Sequence, residues 1–167
     1  MSNRIAMVPV ALGLGANLGD PAATFATARR QLVAGGLRQE RLATIIRTVP
    51  VDCVPGTPDF CNSALVGDWP GSARELLALC QDIERQCGRP ARHSQRESRL
   101  LDIDILLFGE QCIAEPDLVV PHPRLRARYF ALAPLAELAG SWRIPPDLIS
   151  VTAALAEQGW DLPDTQA

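Results

Sequence analysis

The chain has 167 residues, of which 47% are hydrophobic and 21% are charged, and its formal net charge is −3. This length and composition predict one domain over residues 1–167 with a substantial core, and they argue against a disordered chain or a fused second enzyme. The net negative charge argues against a general surface for nucleic acid or anionic lipid. Every basic residue is an arginine, which excludes lysine-based phosphate binding and Schiff-base chemistry.

The remaining composition favours a cytoplasmic protein without structural metal. The longest apolar runs are too short to span a membrane, and the N-terminal residues lack the apolar stretch of a signal peptide. The five cysteines form no Cys-x-x-Cys pair and the chain has two histidines, so neither a disulfide framework nor a zinc site is predicted. We expect the cysteines to pack as small core side chains.

Strand and turn signals alternate through the first half of the chain. Aliphatic and β-branched runs predict strands over residues 8–14, 37–48 and 60–66. Asp20 followed by Pro21 is typical of a helix N-terminus, and this helix is predicted to end at Gly35. The glycines of residues 13–19 are spaced too widely for a dinucleotide-binding turn, so we interpret them as tight-turn residues. Residues 49–59 contain three prolines and predict a long functional loop.

The second half begins with a strong helix signal. Ser72 and Glu75 form a capping box, and the helix that follows is predicted to end at Gly88. Further segments are predicted as a polar loop over 89–100, a strand over 101–108, an irregular or edge segment over 112–120, and helices after 123, over 130–138 and over 148–157. The order of strands and helices predicts an α+β protein with a ferredoxin-like βαββαβ core, an antiparallel sheet and additional helices.

Two carboxylates lie in the strand predicted over residues 101–108. Residues i and i+2 of a strand share a face, so Asp102 and Asp104 are expected side by side, about 6 to 7 Å apart at Cα, while the isoleucines that follow them face the core. Carboxylates in this arrangement suit Mg²⁺ shared with substrate phosphates. The alternative is a solvated face on which each aspartate pairs with an arginine.

Arginines and one histidine surround this strand. Eight of the 16 arginines lie within residues 85–128, and guanidinium groups beside metal carboxylates are typical of nucleoside triphosphate sites. The alternative for about half of them is a solvated surface position. His122 lies between two prolines and is either a phosphate contact or a loop histidine with a backbone partner.

An aromatic ring and an amide share a face of the strand predicted over residues 60–66. Phe60 and Asn62 are two residues apart, and a ring beside an amide suits a planar heterocycle. Packing in the core is the alternative for Phe60.

Taken together, six segments in this order resemble the hydroxymethyl-dihydropterin pyrophosphokinase family of folate biosynthesis. The segments are Ala11-Leu-Gly-Leu-Gly-Ala-Asn-Leu-Gly-Asp20, Thr48-x-Pro50, Pro58-Asp-Phe-x-Asn62, Ile83-Glu84-x-x-x-x-Gly88-Arg89, Leu101-Asp-Ile-Asp-Ile-Leu-Leu-Phe-Gly109 and Val120-Pro-His-Pro-Arg-Leu-x-x-Arg128-x-Phe130-x-Leu-x-Pro-Leu135. The resemblance implies transfer of pyrophosphate from ATP to the hydroxymethyl group of 6-hydroxymethyl-7,8-dihydropterin, which gives the pterin diphosphate and AMP.

The resemblance also implies roles for particular residues. It assigns two Mg²⁺ ions to Asp102 and Asp104, which together with Arg92 and Arg99 make up the catalytic set. It places ATP along Gln81, Glu84, Arg89, Arg92, Arg99, His122 and Arg128. It places the pterin against Thr48, Phe60, Asn62 and Phe130, although the residues alone would put Phe130 in the core. It implies a monomer that binds small-molecule substrates and neither nucleic acid nor membrane.

Residues 89–99 depart from the family pattern, because the Trp-Gly-Pro expected before the Leu-Asp pair is missing. This departure makes a related protein the alternative, one that binds a pterin or nucleotide with a changed substrate or weakened catalysis. A third hypothesis, an RNA-binding module on the same fold, is opposed by the negative net charge and by the missing aromatic sheet signature.

Overall fold

The structure is a computed structural model that describes residues 6–50, 53–88 and 100–162. Its strands are β1 Val8–Ala16, β2 Arg38–Leu42, β3 Ile46–Thr48, β4 Phe60–Trp69, β5 Asp102–Phe108, β6 Ile113–Glu115, β7 Leu118–Val120, β8 Arg143–Ile144 and β9 Ile149–Ser150. Its helices are α1 Pro21–Ala34, α2 Ala73–Gln86, α3 Tyr129–Ala139 and α4 Val151–Glu157, with a 3₁₀ turn at Leu125–Ala127. None of the helices in these ranges has the length and apolar character that crossing a bilayer requires.

A five-stranded antiparallel sheet forms the centre of the molecule. Its order is β2-β4-β1-β5, and β3 also pairs with β4. Strand β1 pairs with β4 from Val8 opposite Trp69 to Ala16 opposite Cys61, and it pairs with β5 on its other side. The element order and the antiparallel pairing are those of a βαββαβ core with added helices, so the predicted α+β fold class is confirmed.

Apolar side chains cover both faces of this sheet. On one face, Leu12 and Leu14 of β1 pack with Phe25 of α1 and Leu76 of α2. On the other face, the core consists mainly of α3 and α4 side chains such as Leu132, together with alanines of β1 and β4. We refer to the first as the α1/α2 face and to the second as the α3 face. The α1/α2 face of the central strands is therefore covered by two helices, whereas their α3 face is covered only where α3 and α4 pack on it.

The sequence signals for the first two helices are confirmed by their caps. The Asp20 side chain accepts a hydrogen bond from the Ala23 N–H at 3.2 Å, and Pro21 occupies the first helical position. In α2, the Ser72 hydroxyl accepts from the Glu75 N–H at 3.1 Å while the Glu75 carboxylate accepts from the Ser72 N–H at 3.3 Å. Helix α1 ends one residue before Gly35 and α2 ends two residues before Gly88, close to the predicted positions, because the caps and the apolar stripes are local features of the sequence.

The prediction of a single strand over residues 37–48 is wrong, because this segment forms two strands, β2 and β3. Glu137 of α3 accepts hydrogen bonds from both the backbone N–H and the hydroxyl of Thr44, at 3.2 Å and 2.9 Å. This carboxylate takes the Thr44 N–H away from the strand ladder. Gln39 also adopts a left-handed φ of 53° at a register shift between β2 and β4, which adds a second irregularity within the segment.

The C-terminal part contains small elements that sequence reasoning placed only roughly. The irregular segment predicted over 112–120 contains the β6–β7 hairpin, and Arg74 of α2 forms ion pairs with Glu115 and Asp117 beside it. The helix predicted over 148–157 begins later, at Val151, because its first residues form the hairpin of β8 and β9. Short hairpins of this kind depend on pairing partners rather than on local propensity.

The cysteines differ from the expectation of a uniform core role. Cys61 and Cys80 are buried, Cys53 and Cys87 are half-buried, and Cys112 is exposed. Burial, together with the nearby Glu84 carboxylate, raises the pKa of the Cys80 thiol well above its ordinary range. The thiols therefore differ sharply in their access to solvent.

The capping box of α2 predicts a stability effect. We expect Ser72→Ala to lower the free energy of unfolding by about 1 kcal/mol, because the Glu75 N–H loses its acceptor. Urea unfolding followed by circular dichroism measures this change. As a control, Ser141→Ala removes an exposed hydroxyl in the turn after α3 and should change stability by less than about 0.5 kcal/mol. Equal effects of the two substitutions would contradict the cap.

Cysteine exposure predicts an order of thiol reactivity. We expect iodoacetamide to alkylate Cys112 in the native protein, whereas Cys61 and Cys80 should react only after denaturation, because a buried thiol is not accessible to the reagent. Peptide mass spectrometry after timed quenching measures the order. Labelling of Cys80 as fast as that of Cys112 would show that Cys80 is not buried in the core as described.

Candidate active site

A small cavity opens on the α3 face of the sheet, beside the first turn of α3. Its volume is about 60 Å³, and residues of β1, β4, β5, the segment after β7 and the start of α3 line it. Among its lining residues are Asn62, Asp102, Asp104, His122, Arg128 and Phe130. Six of the residues predicted for the site therefore converge here from separate parts of the chain.

Two glycines of the central strand form the floor of this cavity. A Cβ atom on Gly15 would lie 3.2 Å from Oδ1 of Asn62, and one on Gly13 would lie 3.3 Å from a methyl group of Leu106. Gly15 pairs with Asn62 on one side and with Asp102 on the other. A side chain on Gly15 would therefore occupy the space beside the Asn62 amide, and one on Gly13 would press against Leu106.

The tight-turn interpretation of these glycines is wrong. Both Gly13 and Gly15 belong to β1, and only Gly19 of the three has a left-handed φ, of 66°. Their spacing of two residues, which places both on one face of a strand, is the signal that could have revealed their role. Sequence reasoning missed them because glycine is more common in turns than in the middle of a strand.

The two aspartates share the α3 face of β5, as their spacing predicts. Both are half-buried, and the Asp104 side chain is 40% exposed. An Oδ2 atom of Asp104 lies 3.9 Å from Nε2 of His122. Within the described ranges, no group of three or more His, Cys, Asp or Glu side chains is arranged to hold a metal ion.

His122 is held by its backbone and faces the cavity with one nitrogen. The backbone N–H of His122 donates to the Leu106 carbonyl at 3.0 Å. The ring Nδ1 accepts from the backbone N–H of Arg124 at 3.1 Å. Because Nδ1 acts as an acceptor, the ring proton is on Nε2, which faces Asp104. Burial, followed by the positive charges of Arg128 and Arg124, lowers the pKa of His122 below its ordinary value. The imidazole is therefore a neutral N–H donor at neutral pH.

Arg128 and Phe130 form a cation–π pair at the cavity wall. The guanidinium carbon of Arg128 lies 5.5 Å from the centroid of the Phe130 ring, within the range of a cation–π interaction. The core position expected for Phe130 from the residues alone is wrong, because the ring is half-buried and lines the cavity. It lies in the first turn of α3, where the helix begins at the open part of the sheet.

Thr48 and Phe60 lie next to Asn62, which lines the cavity. The Nδ2 atom of Asn62 donates to the Thr48 hydroxyl at 3.4 Å, and Thr48 pairs with Phe60 between β3 and β4. Phe60 is half-buried and shares a strand face with Asn62. The structure therefore keeps the predicted ring and amide adjacent.

The predicted residues of α2 are placed differently. Gln81 is exposed on the helix, whereas Glu84 is buried and its Oε1 accepts from the Ile103 N–H at 2.7 Å. Neither residue lines the cavity. Arg89, Arg92 and Arg99, together with the departure from the family pattern at 89–99, lie outside the described residues.

Comparison with known proteins gives matches to one family. A family model described as 7,8-dihydro-6-hydroxymethylpterin-pyrophosphokinase (HPPK) matches residues 11–140. The 2-amino-4-hydroxy-6-hydroxymethyldihydropteridine pyrophosphokinase of Methylorubrum extorquens is 37% identical over 154 residues, covering 87% of this chain and 90% of that protein. The protein of the same name from Bacillus subtilis is 37% identical, covering 76% of this chain and 75% of that protein.

Longer relatives and solved structures match the same region. The mitochondrial folate synthesis bifunctional protein of Arabidopsis thaliana is 38% identical over 134 residues, and this chain spans 24% of its length. A crystal structure of wild-type Plasmodium falciparum HPPK-DHPS shares the fold with a TM-score of 0.66 at 14% identity, covering 94% of this chain and 46% of that chain. Because the family model matches most of the residues, and relatives of similar length are more than one third identical, this chain belongs to the HPPK family.

Proposed function

We propose that this chain transfers the pyrophosphate group of ATP to the hydroxymethyl group of 6-hydroxymethyl-7,8-dihydropterin in tetrahydrofolate biosynthesis. The hydroxymethyl oxygen forms a bond to the β-phosphorus, the bond from that phosphorus to the α–β bridging oxygen breaks, and the hydroxyl proton is released. The products are the pterin diphosphate and AMP. The observation that carries this proposal is the meeting of Asp102, Asp104, His122, Arg128 and Phe130 beside Asn62 in one cavity.

The pterin side of the proposal rests on the amide and the ring. Asn62 has an acceptor and a second N–H besides the one that it gives to Thr48, and these match the donors and acceptors at the edge of a planar heterocycle. Phe130 offers a ring that makes a cation–π contact with Arg128, and Phe60 is the proposed ring opposite. Stacking between rings and hydrogen bonding at the edge fix both the plane and the rotation of a flat ligand.

The phosphate side rests on the two carboxylates. Asp102 and Asp104 present oxygen donors beside the glycine floor, and one or two carboxylates together with substrate phosphates are the usual protein setting for Mg²⁺. The donor set therefore fits Mg²⁺, and we assign the two ions to these residues. When bound, Mg²⁺ supplies neutralisation of the phosphate charge.

Nitrogen donors complete the phosphate side. The Nε2–H of His122 and the guanidinium of Arg128 both line the cavity and can donate to phosphate oxygens. Such donors are effective because they are fixed before the substrate binds. Arg89, Arg92 and Arg99 lie outside the described residues, and their contacts with ATP stay predictions, as does that of Gln81.

Positioning accounts for the chemistry without a nucleophilic side chain. The attacking hydroxyl belongs to the substrate, so the protein has to hold it in line with the β-phosphorus and to offset the charge that develops. Asn62, a proposed pterin contact, and the two aspartates, the proposed phosphate side, lie on β4 and β5, the strands that flank β1. This arrangement brings the two substrates together across the glycine floor.

Two broader expectations accompany this function. We propose that the protein acts as a monomer on small-molecule substrates and that it does so in the cytoplasm. Both stay predictions from the sequence.

Nucleotide analysis tests the proposed activity directly. We expect purified protein with ATP, Mg²⁺ and 6-hydroxymethyl-7,8-dihydropterin to produce AMP, and to produce none when the pterin is left out. Chromatographic separation of the nucleotides measures both. If the pterin binds but no AMP forms, the alternative of a binding protein or a changed substrate replaces the proposal, and the departure at residues 89–99 becomes its natural cause.

Substitution of the carboxylates tests the assigned metal ligands. We expect Asp102→Asn and Asp104→Asn each to lower turnover by more than about 100-fold, because a neutral amide is a poor ligand for Mg²⁺ and offsets less phosphate charge. Steady-state kinetics across a range of Mg²⁺ concentrations measures the loss. Glu110→Gln, which changes an exposed carboxylate in the turn after β5, is the control and should retain activity. Full turnover in both aspartate variants would remove the assignment.

A further inference from the structure

Helix α2 contains a buried carboxylate that the proposed chemistry does not use. The Glu84 side chain belongs to a residue that is only 8% exposed, next to the core residues Ile83 and Cys80. Its Oε1 accepts a hydrogen bond from the Ile103 N–H at 2.7 Å, a short bond to a backbone donor. Burying a charged group costs stability unless the charge has hydrogen-bond partners. The position of its partner therefore indicates what Glu84 does.

That partner lies between the two proposed metal ligands. The N–H of Ile103 belongs to the peptide group that joins Asp102 to Ile103, and Asp104 is the next residue. Strand β5 is the last strand in the described sheet order, with β1 as its neighbour. An N–H that points away from β1 has no acceptor in the sheet ladder. Glu84 supplies this acceptor at the second residue of β5.

Helix α2 is anchored at several points, so the hydrogen bond from Ile103 to Glu84 attaches β5 to a fixed element. The capping box holds its N-terminus, and Leu76 and Ile83 anchor one face in the core. The ion pairs of Arg74 with Glu115 and Asp117 tie its first turn to the β6–β7 region. A hydrogen bond from such a helix limits how far the start of β5 can twist or shift.

We propose that Glu84 is a positioning residue, which acts through the Ile103 N–H to hold Asp102 and Asp104 in the orientation that binds the nucleotide's divalent cation. This inference rests on the proposed function. It replaces the direct contact with ATP that the resemblance implies for Glu84. Partners that orient metal ligands matter in general, since their loss typically costs 10- to 100-fold in metal affinity or activity.

Two substitutions separate the hydrogen bond from the charge. Glu84→Gln keeps an oxygen acceptor for the Ile103 N–H, whereas Glu84→Ala removes it. We expect Glu84→Ala to lower kcat by about 10- to 100-fold with little change in the KM for ATP, because the aspartates are misplaced while the nucleotide contacts remain. We expect Glu84→Gln to recover most of the lost kcat.

Two measurements do not depend on turnover. Electron paramagnetic resonance of Mn²⁺, titrated in the presence of α,β-methylene-ATP, reports cation affinity, which Glu84→Ala should weaken by about tenfold or more and Glu84→Gln should largely preserve. Hydrogen exchange followed by NMR reports the Ile103 amide, which should exchange faster in Glu84→Ala than in the parent protein or Glu84→Gln. Asp82→Asn, an exposed carboxylate on the same helix, is the matched control and should change neither.

The outcomes separate this inference from its alternatives. If Glu84→Gln is as impaired as Glu84→Ala and the KM for ATP rises in both, Glu84 contacts the nucleotide through its charge and the inference is overturned. If Glu84→Ala exchanges faster at Ile103 while Mn²⁺ affinity is unchanged, the bond is structural only and the inference is overturned as well. If the parent protein forms no AMP, the proposed function fails, and the Mn²⁺ and exchange measurements still decide whether Glu84 positions the aspartates.

Discussion

Strand β1 is paired on both sides, and its register with β4 and β5 determines which side chains stand in a row across the sheet. Gly15 lies opposite both Asn62 and Asp102, so an amide and a carboxylate from distant parts of the chain face each other over a residue with no side chain. A slip of one residue in either pairing would turn one of them to the opposite face. The register is held by the apolar residues that alternate with the glycines, because they are buried against α1 and α2.

Local signals in the sequence account for much of the fold and part of the site. The helix caps, the aspartate pair and the neighbouring ring and amide all depend on spacings of two to four residues, which the backbone geometry fixes directly. The break between β2 and β3 could not be predicted, because it depends on Glu137, 93 residues from Thr44. The residues alone misplaced Phe130 for a similar reason, since its exposure depends on where α3 begins relative to the sheet.

The absence of lysine from the sequence shapes the electrostatics of the site. Arg128 serves both walls of the cavity, because its guanidinium lies over the Phe130 ring at cation–π distance while its charge also helps to lower the pKa of His122. An ammonium group could give a similar charge but not the flat stacking surface. One side chain thus connects the proposed ring-binding wall with the proposed phosphate-binding wall.

The hydrogen bonds between Glu137 and Thr44 join helix α3 to the backbone just before β3. Phe130 lies at the beginning of that helix, and Thr48, which holds the Asn62 amide, ends that strand. Glu137 therefore connects the two elements that carry Phe130 and Thr48, both proposed contacts of the pterin. Loss of the Glu137 carboxylate would remove the contact between the helix that carries Phe130 and the segment that leads to Thr48, so its effect would not be confined to one of these two elements.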